Sequence, residues 1–240
     1  MRVGPQLSST ERCLLWDFDN TLAHRPGLWS QCLADSVNSA MPEARVTREQ
    51  FAPHLHSGFP WHTPEREHHH LSNPDAWWAS MHPVFERAIA AGAGLSASAA
   101  SEIATQVRGV YLTPTEWVVF PDTKPALIAL SGHGWRHVIL SNHVPELPQL
   151  TQALGLAEYF DFIITSGTLG YEKPHPLAFK AAIDRIPPSH RTIMIGDSFL
   201  MDYKGARASG LDSILVRGSH PECDTSFPDL HAVVDYLRSK

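Results

Sequence analysis

Cys13-Leu14-Leu15-Trp16-Asp17-Phe18-Asp19 decides the reading of this chain: four apolar residues run straight into two closely spaced carboxylates. A run so short and so uniformly apolar fits a central strand covered on both faces. Its abrupt polar end puts Asp17 and Asp19 at the strand's carboxyl tip. In extended backbone, residues i and i+2 point to the same side, so the two carboxylates address one region. The pattern returns further along. Val138-Ile139-Leu140 ends in Ser141-Asn142, and Phe162-Ile163-Ile164 in Thr165-Ser166-Gly167. Thr192-Ile193-Met194-Ile195 ends in Gly196-Asp197-Ser198, and Ser213-Ile214-Leu215-Val216 in Arg217-Gly218.

Helical signals fill the intervals. Pro125 to Leu130 is stopped by Gly132, a segment after Pro145 carries Leu147, Leu150 and Leu154 before Gly155, and Pro176 to Ile183 precedes Pro187-Pro188. Asp202 to Ser209 is stopped by Gly210. Proline near a helix start and glycine just past its end is the expected punctuation. Strand–helix alternation of this kind predicts an α/β fold, a Rossmann-like, doubly wound parallel sheet. In such sheets ligands bind beyond the carboxyl ends of the strands, where this chain collects its Asp, Ser, Asn and Gly residues.

The rhythm breaks between Asp19 and Trp117. No strand is expected there before Trp117-Val118-Val119-Phe120. Trp29, Leu33, Val37 and Ala40 form one helical stripe, and Asn73-Pro74 is a capped start for a helix with Trp78, Met81, Phe85 and Ile89. Pro83 should kink that helix. Ser96 or Ser98 could cap another, with Ile103, Val107 and Tyr111 on one face. The expected organisation is therefore a discontinuous core, residues 1–22 and 117–240, with an inserted all-helical cap domain over residues 23–116.

Bulk properties narrow the function. The formal net charge is −6, so no basic field is available for a nucleic acid, and none is expected as a partner. No stretch approaches the ~18 apolar residues of a membrane span, so no membrane is expected either. The N-terminus lacks the apolar core of a secretory signal. Cys13, Cys32 and Cys223 are far apart and odd in number, which argues against a disulfide framework or a zinc ribbon. A cytoplasmic setting is expected, and nothing sets an oligomeric state.

The chemistry lies at the strand tips. Adjacent carboxylates repel, which raises one pKa unless a cation lies between them. A hard divalent ion answers that, and Mg2+ takes few carboxylates together with phosphate oxygens. Alone, D-x-D is a common turn or helix cap. Ser141 and Asn142 offer a hydroxyl and an amide able to bond phosphoryl oxygens, although they too read as a helix cap. Lys173-Pro174 supplies a point charge, in a residue type that is usually a solvated surface group. Gly196-Asp197-Ser198 adds a carboxylate at a tight turn, with Asp202 five residues beyond Asp197. The ordered set is far more specific than any member.

That set resembles the haloacid dehalogenase-like hydrolase superfamily, in its phosphatase branch with a helical cap inserted after the first motif. The matching stretches are Leu14 to Leu22, Ser141-Asn142, Gly170-Tyr171-Glu172-Lys173-Pro174, and Gly196 to Asp202, continued by Gly205-Ala206 and Gly210. They span the core, residues 11–22 and 117–220, whereas the cap matches only in position and helical character. The resemblance implies a small-molecule phosphate monoester as substrate. It implies Asp17 as the nucleophile and Asp19 as general acid, then base. It further implies Mg2+ held by Asp17, Asp197 and the Asp19 carbonyl, with Asp202 behind them or bridged by water. Ser141, Asn142 and Lys173 would bind the phosphoryl group.

Within the superfamily, a halide leaving group needs neither a proton nor a metal, so Asp19 argues against a dehalogenase. Phosphonate hydrolysis uses a cap lysine, and the chain has five Lys, none before Lys124. A phosphomutase with the same nucleophile and a non-catalytic binding protein on the same fold remain alternatives. Glu67-His68-His69-His70 lacks the i,i+4 spacing that puts two His on one metal. Trp29, Trp61, Trp77 and Trp78 are expected to pack the cap, with one possible pocket residue among them. His143 is read as a loop residue beside the site. Arg25 is the candidate for reaching an anionic or hydroxylated substrate.

Overall fold

The computed structural model describes residues 12–188 and 190–238. Residues 1–11 and 239–240, assigned above to the core, lie outside the described residues, as does any reading of the N-terminus. The strands are β1 (Arg12–Trp16), β2 (Ala23–His24), β3 (Val118–Val119), β4 (Trp135–Ser141), β5 (Phe162–Thr165), β6 (Arg191–Gly196), β7 (Asp212–Val216) and β8 (Ser226–Phe227). Six of them form one sheet in the order β5-β4-β1-β6-β7-β8, and every pairing is parallel. Numbered by position in the chain, that order is 3-2-1-4-5-6, the Rossmann arrangement. Its switch point falls between β1 and β6, so the crevice opens where Asp17 and Asp197 leave their strands.

The fold is α/β, as the sequence indicates. Alternation along the strands builds two apolar layers. Leu14, Trp16, Ile139, Ile193, Ile195, Ile214 and Val216 face one cluster, while Cys13, Leu15, Val138, Leu140 and Met194 face the other. α5 (Thr123–Gly132), α6 (Leu147–Ala153) and α10 (Leu230–Arg238) cover the first face, and α8 (Pro176–Ile183) and α9 (Gly205–Ala208) the second. A short helix, α7 (Ser166–Leu169), follows β5.

The insertion carries α1 (Leu28–Ala40), α2 (Pro74–Ala93), α3 (Ala97–Ala104) and α4 (Val107–Tyr111), with a run of 3-10 turns between α1 and α2. Asn73 caps α2 by accepting from the backbone N–H groups of Asp75 and Ala76, and Ser96 caps α3 by accepting from Ala99. α2 continues through Pro83 to Gly94, whose φ of 66° supplies the left-handed stop. Trp117–Phe120 does not enter the main sheet. Only Val118–Val119 pairs as a strand, antiparallel with Ala23–His24 in a two-stranded ribbon where the insertion begins and ends. The helical segment also shares its apolar cluster with the sheet: Trp77, Met81, Phe85 and Val107 belong to the same cluster as Leu14 and Trp16.

Candidate active site

Strand ends supply the site's polar groups. Asp17 follows β1, with its backbone N–H donating to Ile195 O at 2.9 Å, so the β1–β6 ladder fixes its position. The Asp17 carboxylate is nearly buried. Its Oδ1 accepts from Ser141 Oγ at 2.9 Å and from Lys173 Nζ at 2.7 Å. Lys173 also donates to Asp202 Oδ1 at 2.5 Å. Burial works against the charged ammonium, but Asp17 and Asp202 together hold its pKa above the usual lysine value. A lysine flanked by two carboxylates stays a cation even when fully enclosed.

Lys173 is aimed by its backbone. Asn142 Oδ1 accepts from the Lys173 N–H at 2.7 Å, and Asn142 Nδ2 donates to the Lys173 carbonyl at 2.8 Å. The amide expected to face a phosphoryl group is thus engaged in fastening the lysine loop to the end of β4. Gly170, with φ 81°, begins the approach to this loop, and a Cβ there would lie 2.9 Å from the backbone of His69.

After β6 the chain makes a tight turn into a π-helical segment, Phe199–Lys204. Such segments often re-aim a side chain at functional sites. Here Asp202 turns back, its Oδ2 accepting from Ser198 N–H at 3.0 Å. Gly196 makes that approach possible, because a Cβ there would overlap the Asp202 carboxylate. Carboxylate oxygens of Asp17, Asp197 and Asp202 lie within 4.8 Å of one another. Burial, followed by repulsion from Asp17 and Asp202, pushes Asp197 up to about 7. Burial also raises Asp202 to about 6, against the pull of Lys173. Three carboxylates share one ammonium, and the uncompensated charge suits a divalent cation with oxygen ligands. The π-helical turn brings Asp202 to this cluster with its Oδ1 held by Lys173 and its Oδ2 by the Ser198 N–H.

Asp19 faces the same cavity from the loop after β1. Its Oδ1 is sealed from solvent and has no hydrogen-bond partner among the described residues. Burial first, then repulsion from Asp17 and Asp197, holds its pKa well above the usual carboxylate range. His143 Nε2 lies 4.0 Å away. His143 Nδ1 faces the Val144 carbonyl at 3.3 Å, and Nε2 lies 3.4 Å from the Tyr111 hydroxyl. The proton therefore belongs on Nδ1, leaving Nε2 as acceptor.

A cavity of about 320 Å³ joins these groups, with its far wall made of Leu28, Trp29, Trp61, Tyr111 and Met201. Trp29 and Trp61 therefore face the pocket, while Trp77 and Trp78 are buried in the helical layer. Arg25 does not line it. That guanidinium is buried, donates to Asp35 Oδ2 at 3.0 Å and to the Leu28 carbonyl at 3.3 Å, and serves the start of α1. The histidine run makes a docking contact: His68 N–H donates to Gly170 O at 2.7 Å and His69 packs edge-on against Tyr171.

Tyr111 and Thr21 are the site residues that sequence reasoning passed over. Thr21 Oγ1 lies 3.4 Å from both Asp17 Oδ2 and Asp197 Oδ1, and its place in the first motif was the available signal. Tyr111 sits on a helix from a distant segment and gave no local signal.

Comparison with known proteins agrees with this arrangement of strands. The family model for haloacid dehalogenase-like hydrolases matches residues 11–210, and the chain belongs to that family. It is 29% identical over 227 residues to haloacid dehalogenase-like hydrolase domain-containing protein 3 of Bos taurus, covering 88% of this chain and 83% of that protein. It is 33% identical over 108 residues to the glyceraldehyde 3-phosphate phosphatase of Methanothermobacter thermautotrophicus, an alignment covering 44% of this chain and 47% of the relative. The crystal structure of a 2-haloacid dehalogenase from Pseudomonas syringae superimposes with a TM-score of 0.66 at 21% identity, covering 95% of this chain and 99% of that one. That likeness concerns the fold. The chain is a hydrolase by family, with a phosphatase among its relatives. No helix among the described residues is long and apolar enough to cross a membrane.

Proposed function

We propose that this protein is a Mg2+-dependent phosphatase that hydrolyses a small-molecule phosphate monoester through an aspartyl-phosphate on Asp17. The observation that carries the reading is the contrast between two carboxyl groups on one cavity. Asp17 is gripped by Ser141 and Lys173, while Asp19 presents an oxygen with no hydrogen-bond partner among the described residues. One is positioned as a nucleophile with its charge balanced, and the other is free to exchange a proton with a substrate.

In the first step an Asp17 carboxylate oxygen attacks phosphorus and the bond from phosphorus to the leaving oxygen breaks. Asp19 gives its proton to that oxygen, releasing the alcohol. Lys173 balances charge on Asp17 and on the transferring group, and Ser141 orients the carboxylate. In the second step Asp19 takes a proton from water, the water oxygen attacks phosphorus, and the acyl–phosphate bond breaks, restoring Asp17. The carboxylates of Asp17 and Asp197 and the backbone carbonyl of Asp19 would hold Mg2+, with Asp202 beside them. When bound, the ion supplies charge neutralisation for the phosphate oxygens. Asn142 contributes by holding the Lys173 backbone. Residues 23–116 act as a cap domain that excludes water over the first step and opens for the second. Asp19 also separates this reading from dehalogenation, in which the leaving halide takes no proton.

The test is phosphate release from a panel of monoesters, with and without Mg2+, beside Asp17→Asn. The variant should lose at least about a thousandfold in kcat/KM while keeping the native circular dichroism spectrum. Retained turnover by Asp17→Asn removes the covalent step, and full activity in chelator removes the metal.

A further inference from the structure

The leaving-group side of the cavity has a chemistry of its own. With Asp19 as proton donor, the departing oxygen lies at its carboxyl and the rest of the substrate lies beyond. Beyond Asp19 stands a chain of rings. His143 Nε2 is 4.0 Å from Asp19 Oδ1, and the Tyr111 hydroxyl is 3.4 Å from that nitrogen. Trp29 lies flat on Tyr111, with centroids 4.0 Å apart and planes 6° apart, and Trp61 stacks against Trp29 at 6.1 Å and 28°. Trp29 and Trp61 are only partly buried and both line the cavity.

Charge points the same way. Among the described residues lining the cavity, Lys173 is the one Lys or Arg, beside four Asp. Its ammonium is held by two carboxylates, and Arg25 is turned to Asp35. A second anionic group on the substrate would find no counter-ion and would meet charge of its own sign. A flat, uncharged group would find indole and phenol rings.

We propose that the site takes phosphate monoesters of uncharged, ring-bearing alcohols, with the ring against Trp29 and Trp61, and rejects substrates whose leaving group carries a carboxylate or second phosphate. This rests on the phosphatase reading and narrows it. A cavity of about 320 Å³ suits a phosphoryl group and one ring system.

A matched pair, phenyl phosphate and 4-carboxyphenyl phosphate, tests the claim. Calorimetric titration of Asp17→Asn with each ligand in Mg2+ reads binding free of leaving-group reactivity. The carboxylated ligand should bind about tenfold more weakly. In the wild-type background, Trp29→Ala should raise KM for phenyl phosphate about tenfold more than it raises KM for acyclic glycerol 1-phosphate, with the loss in KM and not in kcat. Trp29→Phe should restore most of the loss. Equal or tighter binding of the carboxylated ligand overturns the proposal, as does a Trp29→Ala effect shared by ring and acyclic substrates. The expected binding preference in a protein that releases no phosphate would sink the phosphatase reading and leave the pocket assignment standing.

Discussion

Lys173 shows how much a single residue can hold together. Its ammonium is 2.7 Å from Asp17 and 2.5 Å from Asp202, fully enclosed. A buried charge loses hydration worth several kcal/mol and is tolerated only when paired. Removing it leaves two buried carboxylates facing each other and Asp197. Lys173→Met should therefore cost about 3–5 kcal/mol of stability in chelator. Millimolar Mg2+ should recover part of the loss, since a cation among the carboxylates relieves the same repulsion. Urea unfolding with and without Mg2+ reads both. A variant whose midpoint ignores the metal would show that these carboxylates do not form a cation site.

At the scale of elements, a histidine links β1, β4 and α5. Trp16 Nε1 donates to His137 Nδ1 at 2.9 Å, so His137 carries its proton on Nε2 and donates it to Ser131 Oγ at 3.1 Å. Burial lowers the His137 pKa from 6.5 to about 4. The unfolded chain takes up a proton below pH 6.5, and the folded one does so only near pH 4. Stability from this group is thus complete above pH 6.5 and declines as the pH falls towards 4, by about 3 kcal/mol in all. The denaturation midpoint of the wild type should drop across that window more steeply than that of His137→Asn. Parallel pH profiles would rule out this role for His137. A second tie is formed by Asp122, which accepts from Arg217 NH2 at 2.6 Å and from Leu230 N–H at 2.8 Å. It joins the start of α5, the loop after β7 and the start of α10, and no local sequence pattern marks it.

Across the whole molecule, the helical segment is fastened to the sheet at the rim of the site. Glu146, in the loop after β4, accepts from Trp78 Nε1 at 3.1 Å and from Arg108 at 2.7 Å. His68 and His69 dock on Gly170 and Tyr171, near the Lys173 loop. Glu146→Ala strands the buried Trp78 N–H and leaves Arg108 paired with Asp75 alone, which should cost about 1–3 kcal/mol. Amides of residues 74–111 should then exchange faster while those of the central strands keep their protection. Uniform acceleration everywhere would mean that helices and sheet unfold as one unit, as the apolar cluster they share allows.

Five of the six sheet strands, their parallel sense and the four motif groups were legible because each depends on a short local pattern of apolar run, polar tip and glycine or proline stop, whereas the two-residue β8 carries no such run. Trp117–Phe120 was legible as a strand, but its partner was not, because a short ribbon and a buried strand carry the same run of apolar residues. Arg25 misled because an arginine's charge is visible in sequence, whereas its neutralisation by Asp35 requires the turn of α1. Asn142 and Asp202 were found, but their bonding was not. Hydrogen-bond direction depends on the backbone brought opposite, which is set by the β4 end and the π-helical turn.

By itself, the sequence determined the sheet and the set of carboxylates, since hydrophobic period and turn chemistry act over a few residues. Only the tertiary structure decided which oxygen is satisfied and which is left open, and which rings face the cavity. Those outcomes depend on contacts between segments as distant as Tyr111 and His143 or Asp17 and Lys173. The chain reveals such contacts only once packing has fixed the distances on which electrostatics and hydrogen bonding depend.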